Sequence, residues 1–442
     1  MKYSAITNKI YGERIWQLGV RMSILIKNGW IVTQDRERRI INGDVYIEEN
    51  LIADIGKIKV EAEYVIDATN RIVLPGLINT HTHVGMTDMR GLADDVSLDN
   101  FLQIMWKEEG ERGKEDIYRG AILGIKEMLR TGTTTFVDMY SDEDVIARAC
   151  KELGIRGYLG WAVVDEELTT QGGDPLKNAE SFIREYRDDD LVTPLIAPHA
   201  VYTCSEETLL KSQEIAEKYD TLITMHISET RREVSDHRKK TGMRPVEWLS
   251  KIGFLSENLI GVHLVWLTLH EIKLLAERDV KVSHNPTSNM KLGNGGAMPL
   301  VEMLDHGLTI TLGTDSAVSN NNLDMFEVMK FASLLHKNER WDASVTNAQM
   351  IVDFTTINAA KALGLNAGSI EEGKLADIII MNPEPSGIPL EKNRLVSHIV
   401  YSLNGLNTEY TIVNGKIIVA QGKFLNEKET SHLHLCSSKL SL

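Results

Sequence analysis

Two histidines, His81 and His83, stand two residues apart at the end of an apolar run that spans residues 72–78. Side chains alternate along a β-strand, so both imidazoles point to the same side of the chain. Imidazole nitrogen is a common ligand of zinc and iron. The pair therefore predicts half of a transition-metal site, and the other half has to come from elsewhere in the chain.

The same design, an apolar segment with a polar residue at its end, recurs eight times between residues 72 and 315. The polar residues at these ends are His83, Asp138, Asp165, His199, His226, His263, His284 and Asp315. Helical patterns follow most of the segments, and continuous apolar runs are typical of parallel strands covered on both faces. We therefore predict a (β/α)8 barrel, in which catalytic groups lie at the C-terminal ends of the strands.

The segments on either side of this region have a different pattern of apolar and polar residues. Residues 23–70 and 373–425 contain short alternating segments, with turn signals at Asn28-Gly29, Asn42-Gly43 and Asn414-Gly415. We predict one small β-sandwich domain formed by both chain ends, from residues 22–73 and 371–426. The barrel would then span residues 74–370.

The two chain termini are polar. We expect residues 1–21 to be a loose extension, or translation to begin at Met22. Residues 427–442 read as a polar tail, in which His432 and His434 are expected to be surface residues because no apolar strand precedes them.

The composition disfavours several classes of protein. The 442 residues carry a net charge of −15, which disfavours a nucleic acid polymer as partner. The three cysteines, Cys150, Cys204 and Cys436, lie far apart and form no C-x-x-C pair, which disfavours a disulfide framework and predicts a cytoplasmic protein. No apolar run approaches 18 residues, so we predict no membrane span.

Four residues are predicted to be metal ligands: His81, His83, His226 and Asp315. Three imidazoles and one carboxylate leave room for a water molecule, as catalytic zinc requires. Such an ion lowers the pKa of water from about 15.7 towards about 7. We expect one divalent ion per subunit, zinc in the first place and iron as the alternative.

Three further residues are candidates for the chemistry. Glu229 follows His226 by three residues and could protonate a ring nitrogen of a substrate, unless it is an ordinary exposed glutamate. His263 could orient or deprotonate the water together with Asp315. His284 is a tentative candidate, since in Ser-His-Asn-Pro it could equally brace a loop.

Four segments carry a resemblance to a known family: LPGLINTHTH (74–83), HISET (226–230), SHNPTSNMKLGNG (283–295) and LGTDSAVSNN (312–321). They resemble the amidohydrolase superfamily and, within it, are most similar to the 5-methylthioadenosine/S-adenosylhomocysteine deaminases. The resemblance implies one divalent ion on the four ligands above, with Glu229, His263 and Asp315 at the chemistry. It also implies that His199, in Ala-Pro-His, contacts the substrate together with Glu229 and Asp315.

The chain departs from the family pattern at two places. The family glutamate that binds the ribose hydroxyls matches Glu109, in Trp-Lys-Glu-Glu (106–109), although Lys107 replaces a proline; Glu108 and Glu111 remain alternatives. Where relatives that favour S-adenosylhomocysteine carry arginines, this chain has Gly160 and Asp174. A carboxylate is held best by an arginine fork, so an uncharged 5′ group is expected.

The resemblance implies a metal-dependent hydrolytic deaminase of adenine nucleosides such as 5′-deoxyadenosine, 5′-methylthioadenosine and adenosine. One alternative is an aminohydrolase or chlorohydrolase that acts on another ring, such as guanine or a triazine. A further alternative is a metal-binding scaffold without catalysis. The expected partner is a small nucleoside, and analogy with the superfamily suggests a homo-oligomer, either a dimer or a tetramer.

Overall fold

The computed structural model describes residues 23–96, 98–169 and 171–425. The predictions for residues 1–21, for Met22, and for residues 427–442 with His432 and His434 lie outside this range. None of the described helices is both long and apolar enough to cross a membrane.

A nine-stranded sheet combines strands from both ends of the chain. Its strands are β1 (Ser23–Val32), β2 (Ile40–Glu48), β3 (Leu51–Gly56), β4 (Tyr64–Asp67), β5 (Ile72–Pro75), β14 (Ile378–Met381), β15 (Thr408–Val413), β16 (Lys416–Ala420) and β17 (Lys423–Phe424). The path runs β17-β16-β15-β14-β5-β1-β2-β3, with β4 beside β1. Antiparallel pairing of β14 with β5 joins the two chain ends, and isoleucines from both ends pack into one apolar core. The prediction that both chain ends form a separate β structure is confirmed, and the bounds 22–73 and 371–426 stay a prediction.

Eight parallel strands form the second sheet, which nearly closes into a barrel. They are β6 (Leu77–Thr82), β7 (Thr133–Tyr140), β8 (Arg156–Val163), β9 (Val192–Pro198), β10 (Ile223–Ile227), β11 (Leu259–His263), β12 (Lys281–His284) and β13 (Ile310–Leu312), paired in chain order. At the seam, the Asp315 N–H donates to the His81 carbonyl at 2.9 Å. The predicted (β/α)8 barrel is confirmed.

Fourteen helices lie within the described residues, and most of them cover the barrel. They are α1 (Leu98–Gly110), α2 (Lys114–Arg130), α3 (Glu143–Leu153), α4 (Pro175–Tyr186), α5 (Glu206–Tyr219), α6 (Arg231–Thr241), α7 (Pro245–Lys251), α8 (Leu269–Glu277), α9 (Pro286–Lys291), α10 (Leu300–Asp305), α11 (Met325–Arg340), α12 (Ala348–Thr355), α13 (Ile357–Ala362) and α14 (Leu395–Tyr401). Short 3-10 turns cover Val84–Met89, Glu384–Ser386, Lys392–Arg394 and Gly405–Asn407. The main apolar core lies between these helices and the barrel strands.

The apolar run before His81 is two strands and not one. It divides at Gly76, so that β5 joins the small sheet while β6 begins the barrel. A Cβ atom at Gly76 would lie 2.1 Å from the Thr134 hydroxyl oxygen, so only glycine lets the chain pass this close to β7.

Two of the three predicted turns are also wrong. Asn28-Gly29 lies inside β1 and Asn42-Gly43 inside β2, where Gly29 pairs with Gly43 next to a β-bulge. A left-handed Asn28, with φ of 61°, absorbs the irregularity without ending the strand. Asn414-Gly415 does connect β15 to β16, as predicted.

Hydroxyl groups link the strands on the inside of the barrel, next to His81. The Thr80 hydroxyl lies 2.8 Å from the Ser283 hydroxyl and 2.7 Å from that of Thr311, and the Asn79 amide donates to the Thr314 hydroxyl at 2.7 Å. These buried bonds tie β6 to β12 and β13. They hold the strand end that carries His81 in a defined position.

Candidate active site

The four predicted metal ligands converge at the C-terminal mouth of the barrel. His81 Nε2 lies 3.2 Å from His226 Nε2 and 3.6 Å from Asp315 Oδ1, and His83 Nε2 lies 3.5 Å from the same oxygen. β6 carries His81 and leads into His83, β10 carries His226, and Asp315 follows β13. Ligand atoms of His81, His83 and His226 lie within 4.8 Å of one another, as do those of His81, His263 and Asp315.

Hydrogen bonds orient two of these imidazoles. His83 Nδ1 lies 2.6 Å from the Met139 carbonyl oxygen, and His226 Nδ1 lies 3.0 Å from that of His199. Since a carbonyl can only accept, each Nδ1 carries the proton, and each Nε2 is left as a free lone pair that points into the cluster. The buried Nδ1 of His81 has no partner among the described residues.

The electrostatics suit a cation. Burial lowers the pKa of His81 and of His226 well below the usual value, so both are neutral and can act as ligands. Burial tends to raise the pKa of Asp315, but the His263 and His83 imidazoles and the Ser288 hydroxyl together hold it below its usual value. Three imidazole nitrogens and an ionised carboxylate form a donor set that fits a divalent transition metal.

Asp315 is held in a strained turn. Its φ is 64°, in the left-handed region that a non-glycine residue rarely adopts. The Ser288 hydroxyl donates to Oδ2 at 2.6 Å, and the Ser316 N–H donates to Oδ1 at 2.7 Å. These two donors fix the direction of the carboxylate toward His81 and His83.

One side of the cluster is formed by a row of three side chains, those of Glu229, His263 and Asp315. Glu229 Oε2 is 3.8 Å from His263 Nε2, which is 3.9 Å from Asp315 Oδ2. The Asn294 amide donates to Glu229 Oε1 at 3.0 Å, and His263 Nδ1 lies 2.9 Å from Asn289 Oδ1. Glu229 is therefore a partly buried, hydrogen-bonded residue and not a freely exposed loop glutamate.

Glu109 reaches the site from α1. Burial raises the pKa of its carboxyl group, while the Tyr140 hydroxyl, to which it is hydrogen-bonded, and the charges of His83 and Arg112 lower it. Of the two alternatives, Glu111 is exposed and Glu108 is half-buried. Glu109 thus contacts Tyr140 and lies within electrostatic range of His83, a predicted metal ligand.

The two remaining candidates lie in different surroundings. The His199 ring centroid is 4.8 Å from that of His226, and its Nδ1 lies 2.9 Å from the Thr203 hydroxyl. His199 therefore borders the cluster. His284 Nε2 instead lies 3.0 Å from Nε2 of His336 on α11, on the side of β12 that faces the helices.

Sequence reasoning did not assign individual roles to Ser288, Asn289 and Asn294, which hold Asp315, His263 and Glu229. All three belong to the segment 283–295, whose dense polar composition after a buried strand was the available signal. Nothing in the sequence indicated that His336 would contact His284, since 52 residues separate them.

Comparisons with known proteins agree with this geometry. Residues 72–418 match the model of the amidohydrolase family. A 5-methylthioadenosine/S-adenosylhomocysteine deaminase of Thermococcus sibiricus is 47% identical over 90% of this chain and 94% of its own length. A 5′-deoxyadenosine deaminase of Methanothermobacter thermautotrophicus is 43% identical over 93% of this chain and 97% of its own.

A similar solved structure is that of an adenosine deaminase from Xanthomonas campestris with bound zinc. It superimposes with a TM-score of 0.89 at 31% identity, over 93% of this chain and 96% of the other. The family match covers most of the chain, and the relatives extend over nearly all of it. This chain therefore belongs to the amidohydrolase family.

Proposed function

We propose that this protein is a metal-dependent aminohydrolase that replaces the 6-amino group of an adenine nucleoside with oxygen and releases ammonia. The observation that carries the proposal is the convergence of His81, His83, His226 and Asp315 beside Glu229. The deaminase names of the relatives support the reaction class.

His81, His83, His226 and Asp315 would hold the ion, since their donor atoms are imidazole nitrogens and a carboxylate oxygen that face one another. When bound, a divalent ion supplies positive charge that makes water more acidic and therefore a better nucleophile. We propose zinc as the ion, and the zinc in the Xanthomonas structure supports that choice.

The chain's own residues would move the protons. Asp315 Oδ2 and His263 Nε2, 3.9 Å apart, can accept the proton that the attacking water must lose. Glu229 can protonate the ring nitrogen next to the carbon under attack, because the electron pair of the broken C–N double bond moves to that nitrogen. The amino group then leaves as ammonia after it gains the proton that Asp315 or His263 took from the water, and the added hydroxyl group gives its proton to Glu229 as the C=O bond forms.

We assign Glu109 to the ribose hydroxyls and His199 to the substrate edge. A carboxylate accepts hydrogen bonds from two vicinal hydroxyls, and Glu109 lies within electrostatic range of His83. His199 borders His226 and offers Nε2 as a polar contact.

The two positions expected to carry arginines in enzymes that favour S-adenosylhomocysteine support an uncharged 5′ group. A Cβ atom at Gly160 would lie 2.5 Å from Leu195 and 2.8 Å from the Asp138 carbonyl, so that position cannot hold an arginine without displacing its neighbours. Asp174 caps α4 and accepts the Leu176 N–H at 3.0 Å. We therefore propose 5′-deoxyadenosine, 5′-methylthioadenosine and adenosine ahead of S-adenosylhomocysteine.

Ultraviolet spectroscopy of zinc-loaded protein with these four nucleosides and guanine tests the proposal. We expect loss of the adenine band with one ammonia released per nucleoside, and a lower kcat/KM for S-adenosylhomocysteine than for methylthioadenosine. A Glu229→Gln variant should keep its metal and lose turnover. Metal-loaded wild type that leaves all the adenine nucleosides unchanged would contradict the proposal.

A second comparison tests the ribose assignment. Glu109→Gln should lower kcat/KM for adenosine by about 10- to 100-fold, because a charge-assisted hydrogen bond is lost. It should change turnover of 2′,3′-dideoxyadenosine by less than about 3-fold. Glu108→Gln and Glu111→Gln are the matched controls, and a larger loss in either of them would move the role to that residue.

Two further proposals concern the protein in the cell. We propose a homo-oligomer, a dimer or a tetramer, which light scattering of the purified chain tests. We also propose a cytoplasmic location, which cell fractionation tests.

A further inference from the structure

The segment that carries Glu229 is tied to a buried carboxyl group four residues further along. The Ser228 N–H donates to Glu233 Oε1 at 2.9 Å, and the Glu229 N–H donates to Glu233 Oε2 at 2.8 Å. Glu233 lies in the first turn of α6 and is only 9% exposed. Both of its oxygens are thus used by two successive backbone amides.

These two amides depend on Glu233. No other acceptor receives either N–H group among the hydrogen bonds of the described residues. The chain leaves β10 here through a left-handed Ser228, with φ of 52°, so the amides point away from the strand ladder. A buried N–H without an acceptor costs about 1–3 kcal/mol, so the carboxyl group is what makes this backbone path favourable.

An ordinary helix cap would not need this arrangement. At the start of α8, Glu271 accepts the N–H of the capping residue, Thr268, at 2.9 Å. At the start of α6, the Thr230 hydroxyl accepts the Glu233 N–H at 3.0 Å in the usual way, but the Glu233 carboxyl group passes the capping residue and binds the two residues before it. Its contacts therefore act on the turn that presents Glu229.

That turn determines where the Glu229 carboxyl group lies. Its two oxygens are aimed at partners on other elements, His263 Nε2 at 3.8 Å and the Asn294 amide at 3.0 Å. A peptide rotation at residues 228–229 would move the side chain away from both partners, and a displacement of about 1 Å at a reacting group can cost about 100-fold in rate.

We propose that Glu233 is a positioning residue for Glu229: its carboxyl group holds the two amides of the turn and so fixes the proton-transfer group against the substrate. This inference rests on the proposed function, in which Glu229 transfers the proton. Burial raises the pKa of Glu233 to about 8, and the Ser228, Glu229 and Thr230 backbone N–H groups oppose that rise. This clamp, the two hydrogen bonds from the turn to Glu233, does not depend on ionisation, since the carboxyl oxygens accept N–H groups in either protonation state.

The first test is Glu233→Gln in the zinc-loaded full-length protein. An amide must present its NH2 group to one of the two backbone N–H groups, so one bond is lost. We expect kcat for 5′-methylthioadenosine to fall about 10- to 100-fold while KM and metal content stay within about 2-fold. The control is Glu247→Gln, which changes another glutamate that accepts a backbone N–H at a helix start, that of Arg244 at 3.0 Å, and should leave kcat unchanged.

A double-mutant comparison separates positioning from a general loss of structure. If Glu233 acts through Glu229, the Glu229→Gln/Glu233→Gln double variant should have the same residual rate as Glu229→Gln alone. A further loss in the double variant of about the size seen in the single variant would overturn the proposal. Glu233→Asp, which is too short to reach both amides, provides a second variant should the glutamine variant fail to fold.

Hydrogen exchange gives a readout that needs no substrate. The amides of residues 228 and 229 should exchange at least about 10-fold faster in Glu233→Gln, with peptides of α7 unchanged. Unchanged exchange together with unchanged kcat would overturn the proposal. If wild type proves inactive on every nucleoside but the exchange still increases, the proposed function fails while the clamp on the turn stands.

Discussion

Two pairs of buried histidines in this protein have nearly the same geometry and different surroundings. His81 and His226 approach to 3.2 Å between their Nε2 atoms at the barrel mouth, and His284 and His336 approach to 3.0 Å between β12 and α11. Only the first pair has Asp315 and a third imidazole within reach. A close histidine pair therefore does not make a metal site without a carboxylate and a further ligand.

The second nitrogen of His226 also differs from those of the other pair, whereas Nδ1 of His81 is buried without a partner among the described residues, as in the other pair. At the mouth, backbone carbonyls bind Nδ1 of His83 and His226, so their Nε2 lone pairs are directed into the cluster. Nδ1 of His284 and of His336 is buried and has no partner among the described residues. Acceptors that bind the second ring nitrogen are thus present at most of the mouth histidines and absent from the described surroundings of the other pair.

The largest effect is expected when the mouth pair loses Asp315, the carboxylate that distinguishes it from the other pair. Asp315→Asn removes the ionised ligand and a proton acceptor, so turnover should fall by at least about 1000-fold. Bound zinc, measured by mass spectrometry, should fall too. Asp324→Asn is the control, because Asp324 is a helix-capping aspartate that accepts the Phe326 N–H. Full zinc content and activity in Asp315→Asn would remove the distinction between the pairs.

The pair outside the site should make the fold sensitive to acid. Burial lowers the pKa of His336 to about 4, below its value of about 6.5 in the unfolded chain. As pH falls from 6.5 to 4 the unfolded state takes up a proton that the folded state does not, so stability is lost, by about 3 kcal/mol. Urea unfolding of metal-free protein should show this loss in wild type. The free energy of unfolding of His336→Gln, measured at each pH, should not show that contribution. An equal pH dependence in wild type and variant would contradict the prediction.

The hydrogen bond that orients one mouth histidine can be weakened. Asn289→Ala takes away the acceptor 2.9 Å from His263 Nδ1 and leaves the more distant Asn285 amide, at 3.4 Å, as the remaining neighbour of that nitrogen. We expect kcat to fall about 10- to 100-fold, as is usual when the partner of a site histidine is lost. Zinc content should stay unchanged, which distinguishes misorientation from metal loss. Wild-type kcat would mean that His263 does not need the Asn289 side chain.

The smallest effect is expected for the second pair at neutral pH. His336→Gln can keep a hydrogen bond to His284 Nε2, so the free energy of unfolding should fall by only about 1 kcal/mol. Zinc content and kcat should remain within about 2-fold of wild type. A loss of activity greater than 10-fold would indicate that His284 contributes to the active site.

Much of the fold follows from local patterns along the chain. Continuous apolar runs that end in polar residues predicted the parallel barrel, and the alternating flanks predicted the composite β domain, because strand periodicity and burial are written in neighbouring residues. The division of the run at Gly76 was not predicted, since it depends on the approach of Thr134, 58 residues away.

Local patterns along the chain are enough to place polar residue types at the ends of the barrel strands, including His81, His83, His226, His263 and Asp315. Which of these residues meet depends on how distant elements pack. Barrel closure joins Asp315 to His81, whereas the alternation along β12 turns Ser283 inward and His284 toward α11. Spacing along a strand determines the side on which a residue lies, and packing of distant elements determines what it meets there.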